Sequence, residues 1–135
     1  MSARPRYAFV IDDNRMIANN LVQMLKLLGF EAYAAYGPLP AMQALARHVP
    51  DVILMDIHMQ GVNGVDLCQA LRRDARLTRV PILAISSDTQ SELVAGMRAA
   101  GANGFLAKPI QIEALEQALE AAIRDSDITR PLQPQ

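Results

Sequence analysis

The sequence predicts an α/β domain: a doubly wound, five-stranded parallel sheet with helices on both faces. Three observations lead there. Short apolar runs alternate with helix-period patterns five times along the chain, and such alternation marks β-α units and a parallel sheet. Two of the runs, "VILM" at Val52–Met55 and "ILAI" at Ile82–Ile85, are continuously apolar, as strands buried on both faces should be. The 135 residues, 51% of them hydrophobic, suit one compact domain with a sizeable core.

Taken in order, Tyr7–Ile11 reads as the first strand. Ile17, Leu21, Leu25 and Leu28 follow at steps of three and four, the period of one helix face. Gly29 is placed to end that helix, because glycine tolerates the left-handed position after a helix. Glu31–Ala35 is a second, weaker strand. Pro38–His48 reads as a helix with a proline in its first turn. Val52–Met55 is the central strand, and Val65, Leu67, Cys68 and Leu71 continue as a helix. Ile82–Ile85 is the fourth strand, Ser91–Ala100 a helix and Gly104–Ala107 the fifth strand. Ile112, Leu115, Leu119 and Ile123 mark a last amphipathic helix. The expected division is a domain over residues 1–124 and a polar tail or linker, "DSDITRPLQPQ", over 125–135.

Composition excludes several function classes. A formal net charge of -1 leaves no basic footprint for nucleic acid or an anionic membrane. One cysteine, Cys68, precludes an internal disulfide and fits a reducing compartment. No apolar run is long enough to span a bilayer, and "MSARPR" lacks the apolar segment of a signal peptide. The expectation is a cytoplasmic domain that engages neither membrane nor nucleic acid. His48 and His58 have no cysteine or histidine partners at zinc spacing. The seven methionines read as core filler.

The informative residues lie where the strands end. Ligands of open parallel sheets bind outside the carboxyl ends of the strands. There the first strand runs into Asp12 and Asp13, the third into Asp56, the fourth into Ser86 and Ser87, and the fifth into Lys108 and Pro109. If strands one, three, four and five are neighbours, three acids, a hydroxyl and an amine share one crevice. Two carboxylates about 5 Å apart repel by roughly 3 kcal/mol at an effective dielectric near 20, so a proton or a cation must compensate. All-oxygen ligands suit Mg²⁺, which shares its shell readily with waters and a phosphate. Singly, each residue has an ordinary reading: Asp13 or Asn14 would cap the first helix, and Lys108 would be a surface lysine beside a turn.

Jointly, these segments resemble the receiver domain of two-component response regulators, over roughly residues 7–124. "VIDDN" is similar to the family's acidic pair after strand one, and "ILMDIHMQGVNG" to its phosphoacceptor segment. "ILAISS" carries the hydroxyl residue at strand four, and "GFLAKPI" the aromatic, the lysine and the following proline.

The resemblance implies a flavodoxin-like strand order, 2-1-3-4-5. It implies that Asp56 takes a phosphoryl group from a phosphohistidine on a histidine kinase or histidine phosphotransfer protein. Asp12, Asp13, Asp56 and the backbone carbonyl of His58 would hold Mg²⁺. Lys108, Ser86 and Ser87 would bind the phosphoryl oxygens, with the Lys108–Pro109 bond cis. Ser86 and Phe105 would relay the change to the face formed by the fourth helix, fifth strand and fifth helix, where a downstream protein or a second copy docks. His58 and Asp88 flank the path of the hydrolytic water and would tune the lifetime of the phosphorylated state as a charged pair; in the alternative reading they are solvated rim residues with no contact.

Some positions depart from the family pattern. Gln60 stands where proline is common, which is expected to loosen the loop. Asn63-Gly64 replaces Asp-Gly and remains a good turn pair. Phe105 replaces a frequent tyrosine. The same residues also fit a receiver module cut from a hybrid histidine kinase or multidomain regulator. A Mg²⁺-dependent aspartyl phosphatase fits less well, because it wants two aspartates separated by one residue and "DDNRM" lacks that spacing.

Overall fold

The computed structural model describes residues 6–129. Five strands, β1 (Arg6–Ile11), β2 (Phe30–Ala35), β3 (Val52–Asp56), β6 (Ile82–Ser86) and β7 (Gly104–Ala107), form one sheet in the order β2-β1-β3-β6-β7. Every pairing in it is parallel. That is the predicted order 2-1-3-4-5. A separate two-stranded hairpin, β4 (His58–Met59) and β5 (Val62–Asn63), lies outside the sheet. The helices are α1 (Arg15–Leu27), α2 (Pro38–Leu45), α3 (Gly64–Arg73), α4 (Ser91–Ala100) and α5 (Ile112–Thr129).

Side chains alternate across the strands, so two cores form, one on each face of the sheet. Phe9, Ile11, Ile53, Met55, Ile82 and Ala84 meet residues of α2, α3 and α4 on one face. Ala8, Val10, Val52, Leu54, Leu83 and Ile85 meet residues of α1 and α5 on the other. All five residues of β3 and all five of β6 are buried. Cys68 is fully buried in the first of these cores, where it packs as a small hydrophobe.

Two helix ends differ from expectation. The reading of Pro38–His48 as helix overshoots: α2 stops at Leu45, and the N–H groups of Arg47 and His48 both fold back to the Ala44 carbonyl. Pro50 limits how far the helix could run, because the residue before a proline, here Val49, is disfavoured in the helical region. α5 instead runs past Arg124 to Thr129. Ser126 is buried and its hydroxyl donates to the Arg79 carbonyl, while Asn103 donates to Asp125 at 3.1 Å. Tertiary anchors thus keep a polar stretch helical. The last residues of the expected tail, 130–135, lie outside the described residues.

The end of the sheet away from the acids is pinned by Arg72. Its guanidinium donates to the carbonyls of Leu77 (2.7 Å), Val80 (2.7 Å) and Gly101 (3.0 and 2.8 Å), and to Asn103 Oδ1 (2.8 Å). One side chain therefore ties α3 to the chain entering β6 and to the end of α4. Arg72→Ala is expected to lower the unfolding free energy by about 3 kcal/mol or more, since buried carbonyls lose a charged donor. Urea denaturation measures this; a loss below about 1 kcal/mol would show the network to be incidental.

Candidate functional site: an acidic crevice at the carboxyl ends of the strands

Register places the acids together. Ile11 pairs with Met55, so Asp12 emerges beside Asp56, and β6 lies on the other flank of Asp56 with Ile85 opposite it. Asp12 and Asp56 are almost fully buried, at 1% and 4% exposure, while Asp13 is exposed. Carboxylate oxygens from the three lie within 4.8 Å of one another. Each acid is held by a backbone N–H. Asn14 donates to Asp12 Oδ1 (2.9 Å), His58 to Asp56 Oδ1 (2.9 Å) and Gln60 to Asp13 Oδ2 (3.0 Å). Lys108 Nζ donates to Asp56 Oδ2 at 3.1 Å and lies 3.9 Å from Asp12 Oδ2.

The charges in this crevice are not balanced. Asp12 Oδ2 is buried and accepts no hydrogen bond among the described residues. Burial pushes the Asp12 carboxyl up to about 6, and the Asp56 charge adds to the rise, against the opposing pull of the Asn14 N–H and Lys108. A buried oxygen without a donor, beside two further carboxylates, fits a hard divalent cation. Asp12, Asp13 and Asp56 are the side chains that could hold one.

The hydroxyl and the aromatic expected to act with them lie on the neighbouring strands. Ser86 is fully buried, and its Oγ accepts the Asp88 N–H at 2.9 Å. The Ser86 carbonyl accepts the Lys108 N–H at 2.9 Å, which ties β6 to the segment that carries the lysine. Phe105 pairs with Ala84 and packs into the core beneath α2, α3 and α4. Since Ala84 and Ser86 are two apart on one strand, Ser86 and Phe105 share that face of the sheet. The Lys108–Pro109 bond is cis.

Other expected residues stand apart. Ser87 is exposed and forms no hydrogen bond to the acids among the described residues. His58 and Asp88 form neither a hydrogen bond nor an ion pair with each other, and Asp88 Oδ1 instead accepts the Gln90 N–H at 3.0 Å. The charged-pair contact is not made in this structure. His58 reaches the site through its N–H.

The loop after Asp56 is built differently from the sequence reading. The turn falls at Gln60-Gly61, with Gly61 at φ +75°, between the paired strands β4 and β5. Asn63 is instead the N-cap of α3 and accepts from Val65 N–H at 2.9 Å. Gly64 is needed because a Cβ there would sit 2.5 Å from Ile57 Cβ. The Gln60 N–H, a donor that proline lacks, ties the loop to Asp13. A cleft of about 750 Å³ opens beside the cluster, lined by Asp13, His58, Gln60, Asn63, Val65 and Leu93 among others. Across α1, Arg15 stacks over the Tyr36 ring at 4.2 Å and the Tyr36 hydroxyl donates to Asn19. No motif in the sequence signalled that cluster.

A doubly wound sheet with three acids and a lysine at its carboxyl edge defines a class of α/β domains with a candidate cation site at that edge. Within that class, residues 8–120 match the response regulator receiver domain family. The chain belongs to that family, whose members are switches in two-component signalling. It is 31% identical over 121 residues to response regulator MprA of Mycobacterium sp. strain KMS, which covers 89% of this chain and 51% of the relative. The chain thus spans about half the length of the curated relatives it matches. Among solved structures, chemotaxis protein CheY4 of Vibrio cholerae superposes with a TM-score of 0.83 at 26% identity, covering 87% of this chain and 98% of that one. The receiver domain of sensor histidine kinase PA1611 from Pseudomonas aeruginosa gives 0.79 at 25% identity, covering 89% and 98%. That structure holds a magnesium ion coordinated in its active site cleft. Among the described residues, no helix is long and apolar enough to cross a membrane.

Proposed function

We propose that this receiver domain takes a phosphoryl group onto Asp56 from a phosphohistidine on a histidine kinase or histidine phosphotransfer protein. The single observation that carries this reading is the buried, undonated Oδ2 of Asp12, whose carboxylate clusters with those of Asp13 and Asp56. Mg²⁺, held by those three carboxylates and the His58 carbonyl, would supply charge neutralisation for the incoming phosphoryl group. The magnesium in the cleft of the PA1611 receiver supports this choice of cation.

An ionised Asp56 oxygen attacks phosphorus. The bond to the histidine nitrogen breaks, its electron pair stays on the imidazole, and an acyl phosphate remains. Lys108, already 3.1 Å from Asp56 Oδ2, then pairs with phosphoryl oxygens. Ser86 donates its hydroxyl to another, and Ser87 is a further donor at the rim. Ser86 Oγ leaves the Asp88 N–H to do so, and Phe105, on the same face, moves with it. The change spreads over the surface of α4, β7 and α5, where a downstream protein or a second copy docks. His58 and Asp88, at the rim, govern access of water to the acyl phosphate. The domain is cytoplasmic in this reading, runs through α5, and serves either alone or as a module of a longer protein such as a hybrid kinase.

Acetyl phosphate with Mg²⁺ tests the switch. Phosphorylation is expected to change amide exchange over Ser91–Ala100 and Gly104–Ala107 in the wild type. Ser86→Ala should still accept phosphate but show at most about half that response, because its hydroxyl is the first link. An equal response in Ser86→Ala would place the relay elsewhere, and uptake unaffected by EDTA would remove the role of the cation.

A further inference from the structure

The β4–β5 hairpin has little of its own to hold it. Two residue pairs, His58↔Asn63 and Met59↔Val62, make up its ladder, and so short a hairpin is marginal in isolation. Its N-terminal strand and turn are instead bracketed by two acids of the cluster. His58 N–H bonds Asp56, and Gln60 N–H bonds Asp13 across 47 residues of sequence. Asp13 is exposed, and among the described residues its carboxylate accepts no other hydrogen bond. Without Gln60 that side chain would be free to rotate. The bond also leaves Asp13 Oδ1 available.

We propose that the Gln60 backbone N–H is a positioning group for the cation seat, coupling it through Asp13 to closure of the β4–β5 hairpin. This inference rests on the cation reading above. A hydrogen bond from an N–H fixes the direction of the carboxylate it binds, so a cation meets Asp13 already oriented. Coupling of this kind is reciprocal: if hairpin closure strengthens cation binding, cation binding stabilises the closed hairpin. The donor is a main-chain group, so the side chain of residue 60 is immaterial provided the N–H is present. Proline, common at this position in the family, removes it.

Gln60→Pro and Gln60→Ala therefore separate the backbone from the side chain. Mg²⁺ binding by calorimetry should match the wild type within about twofold in Gln60→Ala and weaken roughly three- to tenfold in Gln60→Pro. Mg²⁺ should slow amide exchange at Met59, Gly61 and Val62 in the wild type and in Gln60→Ala, and less so in Gln60→Pro. Equal affinities in the two variants, or no Mg²⁺ protection of those amides in the wild type, would overturn the coupling. The wild-type exchange measurement decides the point even if Gln60→Pro does not fold. Asp13→Asn identifies the level of failure. If it binds Mg²⁺ as the wild type does, the seat itself is wrong and the coupling falls with it. If it loses Mg²⁺ while Gln60→Pro does not, the seat stands and the coupling alone is refuted.

Discussion

Asp56→Asn is expected to reduce phosphoryl uptake from acetyl phosphate to background, by at least about a hundredfold. The amide keeps the shape of the carboxylate, and its oxygen can still accept from His58 N–H or Lys108, so the fold should survive. What it lacks is an anionic oxygen to attack phosphorus. No neighbour is placed to substitute. Asp12 is the more deeply buried and raised toward protonation, while Asp13 sits at the exposed rim, bonded to Gln60. Intact-mass measurement after incubation with donor and Mg²⁺ reads the result directly. Uptake in Asp56→Asn at the wild-type rate would mean that another residue carries the phosphoryl group.

Asp12→Asn is expected to stabilise the domain at neutral pH when divalent cations are chelated. The Asp12 carboxyl stands at about 6 in the folded protein against an ordinary value of 3.8. The folded state therefore holds that proton more tightly than the unfolded one. The resulting stability is fully present below about pH 4 and is lost as pH rises through about 6, by up to about 3 kcal/mol. Asparagine does not titrate, so the variant should gain on the wild type between about pH 5 and 7.5 in EDTA. Denaturant titration at the two pH values checks this; a gap that does not change with pH would contradict it. Mg²⁺ should restore the wild type at neutral pH, because a cation needs Asp12 ionised, and this rescue should fade below about pH 6.

The β-α alternation made the sheet legible because strands buried on both faces must be near-continuously apolar, and β3 and β6 are so up to their last residues, Asp56 and Ser86. The acids, hydroxyl and lysine were legible for a related reason. A carboxylate placed directly after such a run can only emerge at the sheet's carboxyl edge. The misreading at the end of α5 has a tertiary cause. α5 continues through Asp125 and Ser126 because Asn103 and the Arg79 carbonyl receive them. Neither contact has a local signature. The same holds for Arg72, whose partners lie across a loop and at the end of another helix. The loop after Asp56 failed differently. Asn63-Gly64 looks like a turn pair, but local sequence does not distinguish a turn from an N-cap followed by a close approach to Ile57. The value of Gln60 was readable in principle, since replacing an expected proline restores a donor. Which acceptor it finds depends on a residue 47 positions away.

The central claim is that phosphate lands on Asp56 with a cation beside it. Locating the adduct tests this most directly. The wild-type protein is phosphorylated with acetyl phosphate and Mg²⁺, and the acyl phosphate is reduced chemically to mark the modified carboxyl before peptide mapping. The account predicts a single mark at Asp56, formed with Mg²⁺ and absent with EDTA. A mark at Asp12 or Asp13, or a hydroxylamine-resistant phosphate on a hydroxyl residue such as Ser87, would contradict it.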